Sequence, residues 1–232
     1  MTGLSLRDVT VRLGDRVAID GVTVSLDQPR IAVIGSNGSG KSTFARLLGG
    51  LVAPTMGALR VHGLDPAREA AALRRRTSFV FSNPDAQIIM PTVAEDAAFS
   101  LRGERLPRAE SAARVAAALA EFGLSELADQ PSHDLSGGQK QLLALCAALI
   151  RRPSLVIADE PTAYLDARNS ISIANHLLDD SAAEAGRQLV LVTHDLRLAA
   201  RCDVAVRFDE GRLIDVGDPA DVVDRYEVSL RC

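Results

Sequence analysis

Nine consecutive residues, Gly35-Ser36-Asn37-Gly38-Ser39-Gly40-Lys41-Ser42-Thr43, carry the first chemical signal. They contain the spacing G-x-x-x-x-G-K-S, with Gly35, Gly40, Lys41 and Ser42 at its fixed positions. Glycines let a backbone turn so that successive N–H groups point inward and cradle phosphate oxygens. A helix opening at the end of such a loop presents its positive terminus to the same anion. Lys41 is then placed to bridge the β- and γ-phosphates of a nucleotide, Ser42 to offer a hydroxyl to Mg²⁺, and Thr43 to bond the α-phosphate. The chemistry to expect is binding of a nucleotide's phosphates together with Mg²⁺.

Two further groups fit that chemistry. Leu155-Val156-Ile157-Ala158 is an apolar run ending in Asp159 and Glu160. Ligands of open α/β sheets sit at the carboxyl ends of parallel strands. Asp159 is suited to hold Mg²⁺ through water, and Glu160 to polarise an attacking water as general base. Leu135-Ser136-Gly137-Gly138-Gln139 opens a helical pattern. A serine N-cap followed by two glycines leaves a bare helix N-terminus, which is a second anion site. One nucleotide does not easily need two such termini from one subunit. The simplest arrangement is a head-to-tail pair, in which this helix caps the γ-phosphate bound by the other copy.

The positioning elements are legible around these groups. Leu4, Leu6, Val9, Val11 and Leu13 alternate with one phase break, and Val22, Val24 and Leu26 resume the alternation after a Gly14-Asp15 turn. Ile31–Ile34 is a short apolar strand running into the glycine loop, and a helix from Ser42 to about Leu51 follows. Strands are expected at 59–62 and 77–81, helices through 95–151, and buried strands at 155–158 and 189–192. A hairpin at 204–208 and 213–216 turns at Asp209–Gly211, and a last helix starts after Asp218-Pro219. The fold class is therefore α/β: a mostly parallel sheet of the P-loop type, an N-terminal antiparallel β subdomain, and a helical insert at roughly 83–152. All 232 residues are expected to form a single domain.

Composition narrows the classes. A net charge of −4 gives no general pull toward nucleic acid. The longest apolar run, Leu142–Ile150, is nine residues, and a bilayer span needs about 20. The first residues have no apolar h-region, so no signal peptide is expected. Cys146, Cys202 and Cys232 form neither a disulfide framework nor a metal knuckle by spacing. Of 26 basic residues only Lys41 and Lys140 are lysines. A lysine kept in the glycine loop marks a place for a compact ammonium rather than a guanidinium fork.

Gly35–Thr43, Leu135–Gln139, Leu155–Glu160, Leu165-Asp166 and His194, in that order across essentially the whole chain, resemble the ATP-binding-cassette ATPase family. LSGGQ is that family's signature. The resemblance implies a two-site sandwich dimer with a second ATPase subunit, either itself or a paralogue. It implies that Asp166 lies in a loop crossing between subunits and that His194 contacts the γ-phosphate. With no membrane span, long heptad region or second cassette in the chain, a transporter subunit is the member expected. Phe81-Ser82-Asn83-Pro84-Asp85-Ala86-Gln87 and Pro91–Phe99 are similar to the N-P-D-x-Q and P-T-V-x-E-D-x-A-F patterns of energy-coupling-factor importers. Those carry vitamins or transition-metal ions. Gln87–Pro91 and the short C-terminus are similar to the biotin-importing branch, with a cobalt or nickel importer as the alternative. The implied partners are a transmembrane coupling subunit and a substrate-binding membrane subunit, with this chain peripheral on the cytoplasmic face. A soluble regulatory protein that dimerises on ATP is the alternative from another class.

Two positions depart from the family's pattern. Ser82 stands where a glutamine usually links γ-phosphate, Mg²⁺ and the membrane partner. Its hydroxyl can still touch a metal-bound water at shorter reach, and Gln87, five residues on, is not expected to replace it. Leu13 stands where many relatives stack an aromatic ring on adenine, and an aliphatic side chain gives area without stacking. Leu13→Tyr is expected to tighten ATP binding roughly ten-fold, the scale of one base–aromatic stack, in a fluorescence titration. Unchanged affinity would contradict this reading of Leu13.

Overall fold

The computed structural model describes residues 3–231, so Cys232 lies outside the described residues. Its strands are β1 (Leu4–Leu13), β2 (Arg16–Leu26), β3 (Arg30–Gly35), β4 (Met56–Val61), β5 (Thr77–Val80), β6 (Leu155–Asp159), β7 (Gln188–Val192), β8 (Val204–Asp209) and β9 (Arg212–Gly217). Its helices are α1 (Lys41–Leu48), α2 (Ala70–Arg76), α3 (Val93–Phe99), α4 (Arg108–Glu121), α5 (Gly137–Leu149), α6 (Ala167–Leu177), α7 (Asp180–Glu184), α8 (Leu196–Ala199) and α9 (Pro219–Ser229). The chain divides into two compact units. The first comprises the residues up to Ser78, Ser154–Glu160, and those from Leu178 on; the second comprises Phe79–Pro153 and Pro161–Leu177.

In the first unit, β1 and β2 pair antiparallel across the Gly14-Asp15 turn, with Leu13 opposite Arg16 and Val11 opposite Ile19. The register shifts between Leu6 and Val9, where Asp8 adopts φ 51°. That irregularity is the phase break seen in the sequence. β4 adds to the other side of β1, giving the order β2-β1-β4. It starts three residues before the strand expected at 59–62, because Met56 to Ala58 are exposed and show no alternation.

The second sheet has the order β5-β6-β7-β3-β8-β9. β3 lies between β7 and β8 and is parallel to both, β6 is parallel to β7, and β9 closes the edge antiparallel to β8. Ile31 to Ile34, Val156 to Ala158 and Val190 to Val192 are all buried. Their continuous apolar runs are what burial on both faces of a parallel sheet demands. α1 is fastened to this sheet by Phe44, which is fully buried against Phe208 of β8 with ring centroids 4.9 Å apart. Such a pair adds about 0.5–1.5 kcal/mol beyond its area burial. α1 ends at Leu48 rather than near Leu51, where Gly49 and Gly50 take over. At the far end of the chain, Asp218 caps α9 by accepting from the Ala220 N–H, with Pro219 in its first turn.

The second unit is helical. Val115, Ala118 and Leu119 form the buried stripe of α4, and Leu143 to Cys146 are buried in α5. Burial pushes the Cys146 thiol up to about 12, so it stays a neutral core group. α3 opens on a capping box, in which Thr92 accepts from the Glu95 N–H and Glu95 accepts from the Thr92 N–H. Among the described residues no helix is long and apolar enough to cross a membrane.

Candidate nucleotide site

The glycine loop joins the carboxyl end of β3 to the first turn of α1. Gly35 and Gly40 have φ of 142° and 108°, and both are hemmed in. A Cβ at Gly35 would sit 2.1 Å from the Phe208 carbonyl oxygen, and one at Gly40 would sit 2.6 Å from that of Ala18. Only glycine meets both the conformation and the space. The loop is tied further by the Ser39 N–H donating to Ser36 O and the Gly211 N–H donating to Ser39 O. The Ser39 hydroxyl is buried with no hydrogen-bond partner.

Lys41 is only 6% exposed. Its Nζ donates to the carbonyl oxygens of Gly35 and Ser36, each at 2.8 Å. Burial holds the ammonium below the usual lysine range, against the opposing pull of Glu160 and Asp159. Ser42 Oγ donates to Asp159 Oδ1 at 3.0 Å. Asp159, at the end of β6, is 7% exposed, and burial raises its carboxyl above the usual range in spite of Ser42, Arg46 and Lys41. A hydroxyl and a carboxylate so close together are the hard oxygen donors that Mg²⁺ prefers, so the residues present fit that ion.

Glu160 follows Asp159 in a left-handed backbone conformation, φ 52°. Its N–H donates to Val192 O at 2.9 Å, which ties it to the end of β7. β7 then delivers His194. His194 Nδ1 lies 2.6 Å from Glu160 Oε2, and the His194 N–H donates to the same oxygen at 3.3 Å. A cavity of about 230 Å³ lies over the loop, lined by Leu13, Arg16 and Ala18 on the hairpin side, by Asn37, Gly38 and Lys41 to Thr43 on the loop side, and by Glu160. Arg16 was not singled out from the sequence. Its Nη2 donates to Gly38 O at 2.7 Å and pins the crest of the loop. The only signal for it in the sequence is its place directly across the turn from Leu13.

The remaining candidates lie in the second unit. Ser136 caps α5 and makes a capping box with Gln139. Ser136 Oγ accepts from the Gln139 N–H at 3.3 Å, and Gln139 Oε1 accepts from the Ser136 N–H at 2.8 Å. The Gln139 side chain is thereby folded back on its own helix start. Beside Gly137 there is open space. Asp166 precedes α6 and accepts from the Asn169 N–H and from Asn169 Nδ2, each at 2.8 Å. Those bonds, the backbone one first, hold its carboxyl below the usual range. Ser82 follows β5 and is half-buried. Gln87 is consumed structurally: Oε1 accepts from the Phe81 N–H at 2.7 Å and Nε2 donates to Phe79 O at 3.0 Å. That clamp agrees with the expectation that Gln87 does not substitute for a glutamine at 82.

A family model described as ABC transporter matches residues 19–163. The chain belongs to that family. It is 42% identical over 216 residues to the biotin transport ATP-binding protein BioM of Rhizobium etli, covering 93% of this chain and 94% of that one. It is also 42% identical over 210 residues to the energy-coupling factor transporter ATP-binding protein EcfA1 of Symbiobacterium thermophilum, covering 89% of this chain and 73% of that one. A solved dimeric structure, a post-hydrolysis state of the ATP-binding cassette MJ0796 bound to ADP and Pi, superimposes with a TM-score of 0.81 at 27% identity, covering 93% and 98% of the two chains. The chain is an ABC transport ATPase of the energy-coupling-factor type, and it binds and hydrolyses ATP.

The raised carboxyl of Asp159 has a consequence for stability. Because its folded value lies above the unfolded one, its contribution is favourable only below the unfolded range and is lost as pH rises through the folded value. Above that value the buried Asp159 carboxylate weakens the fold. Asp159→Asn is expected to raise the melting temperature at pH 7 by about 2–4 °C for each kcal/mol recovered, while impairing ATP hydrolysis. Calorimetry at pH 7 in the absence of nucleotide checks this, and a lowered melting temperature would contradict it.

Proposed function

We propose that this ABC ATPase powers an energy-coupling-factor importer for biotin, working as a head-to-tail pair with a second ATPase subunit, itself or a paralogue. In this reading the pair sits on the cytoplasmic face of the membrane, held there by a transmembrane coupling subunit and a substrate-binding membrane subunit. The two compact units act as one cassette within residues 1–232, with the helical insert at roughly 83–152 carrying the segment that meets the coupling subunit. The similarity to a biotin transport ATP-binding protein supports the cargo assignment, and the dimer of the related cassette supports the pairing.

The observation that carries the enzymatic reading is the Glu160–His194 contact at the edge of the cavity over the glycine loop. Both contacts from His194 go to Oε2, so Oε1 is the oxygen assigned to the attacking water. Water attacks the γ-phosphorus as its bond to the β–γ bridging oxygen breaks. The proton of the water passes to Glu160, and ADP and phosphate leave. Residues Gly35 to Thr43 and the start of α1 hold the phosphates, and Lys41 exchanges its loop carbonyls for phosphate oxygens. Ser42 directly, Asp159 through water, and Ser82 through a metal-bound water that its shorter side chain can still touch, are the groups assigned to Mg²⁺. When bound, Mg²⁺ neutralises charge on the β- and γ-phosphates. Ser136, Gly137, Gly138 and Gln139 of one copy face the γ-phosphate held by the other, and Asp166 lies at the crossing between copies.

The test is steady-state ATPase activity of the assembled transporter, wild type against Glu160→Gln. Loss of a general base is expected to cost on the order of 10²–10⁴-fold in turnover, with ATP binding kept. Equal rates would overturn the assignment of Glu160. ATP-driven uptake of labelled biotin into proteoliposomes is expected in parallel, and uptake of cobalt or nickel instead would overturn the cargo alone.

A further inference from the structure

The two signature glycines do not have the same surroundings. Gly137 faces open space, whereas a Cβ on Gly138 would lie 2.3 Å from Asn169 Nδ2 and 2.4 Å from Asn169 Cγ. What fills the place of a side chain at 138 is therefore the amide of Asn169, in the first turn of α6. That amide is held in turn by Asp166. One carboxylate oxygen accepts from the Asn169 N–H and the other from Asn169 Nδ2, both at 2.8 Å. The backbone bond caps α6, and the side-chain bond fixes the rotamer that presses on Gly138. All three residues belong to the same compact unit.

We propose that Asn169 is a positioning residue which joins Asp166 to Gly138, so that the loop before α6 and the start of α5 shift as one piece. The proposal rests on the functional reading above, in which Asp166 lies at the crossing between two copies and α5 faces the other copy's γ-phosphate. A displacement felt at Asp166 then reaches Ser136 and Gly137 without passing through the nucleotide. Gly138 is a glycine because Asn169 stands there, and Gly137 is the one left open toward a ligand. A methyl group at 138 enters only by driving the Asn169 amide off Asp166. Asn169 does not itself touch the reacting atoms, so its removal changes how well the cap is placed and not how well the glycine loop of its own chain holds ATP.

A double-mutant cycle on the ATPase activity of the assembled transporter tests this. Gly138→Ala is expected to lower turnover on the order of 100-fold, the loss that a misplacement of about 1 Å produces. Asn169→Ala is expected to lower kcat about ten-fold with KM for ATP unchanged. In the Asn169→Ala background, Gly138→Ala is expected to cost no more than about three-fold further, since coupled residues give non-additive effects. An undiminished loss from Gly138→Ala in that background would overturn the proposal, because the glycine would then be required by the nucleotide alone. Asn169→Asp keeps the volume but sets a carboxylate against Asp166, so it tests the link even if Gly138→Ala does not fold. It is expected to lower kcat at an unchanged melting temperature, and wild-type kcat would overturn the proposal. A wild-type transporter without ATPase activity would instead sink the functional reading beneath it.

Discussion

Everything at the nucleotide site depends on keeping charged groups out of water at the carboxyl ends of two parallel strands. Lys41 and Asp159 are both nearly inaccessible, and burial disfavours the charged form of each. The fold offsets part of that cost locally. Two loop carbonyls accept from the ammonium and Ser42 donates to the carboxylate. These are interim partners. A phosphate and a divalent cation would satisfy the same groups better, since a charge–charge contact in a low-dielectric site is stronger than a charge–dipole one. Binding energy is thus available because the loop holds its charges in a tolerable but unfavourable balance.

The sheet supplies the rigidity that this balance needs. β3, β6 and β7 are parallel neighbours, so their carboxyl ends, which carry Gly35, Asp159 and Val192, come to one edge. Glu160 is pinned to β7 by its own N–H, and the residues after Val192 bring His194 onto its carboxylate. Three separate stretches of sequence are thereby fixed by backbone pairing rather than by their side chains. The hairpin of β1 and β2 adds Leu13 and Arg16 at the rim of the cavity, with Arg16 reaching Gly38 O. Among the described residues no aromatic ring lines this cavity, so a base placed at its rim meets an aliphatic side chain and a guanidinium.

Legibility in the sequence follows the range of the constraint. The glycine loop, the acidic strand end and the serine-glycine helix start are local patterns in which residue type and spacing are set by one turn or one strand end, and each is found on the element expected. The buried parallel strands were legible because their apolar runs are continuous. Contacts that depend on residues far apart in sequence were not. Nothing near Arg16 announces a bond to Gly38, and nothing near Asn169 announces that it occupies the space of a side chain at 138. The start of β4 was missed because its first residues are exposed and carry no alternation. Gln139 could be placed on α5, but not the turning of its side chain back onto Ser136.

The central claim is that the glycine loop, through Lys41, is where this ATPase holds the phosphates of ATP. Isothermal titration of ATP with Mg²⁺ into wild type and Lys41→Ala tests it most directly. One ATP per wild-type chain and an affinity roughly 10- to 100-fold weaker for Lys41→Ala, the scale of losing charged hydrogen bonds, are the results the account predicts. Equal affinity in the two proteins, with both folded, would contradict it.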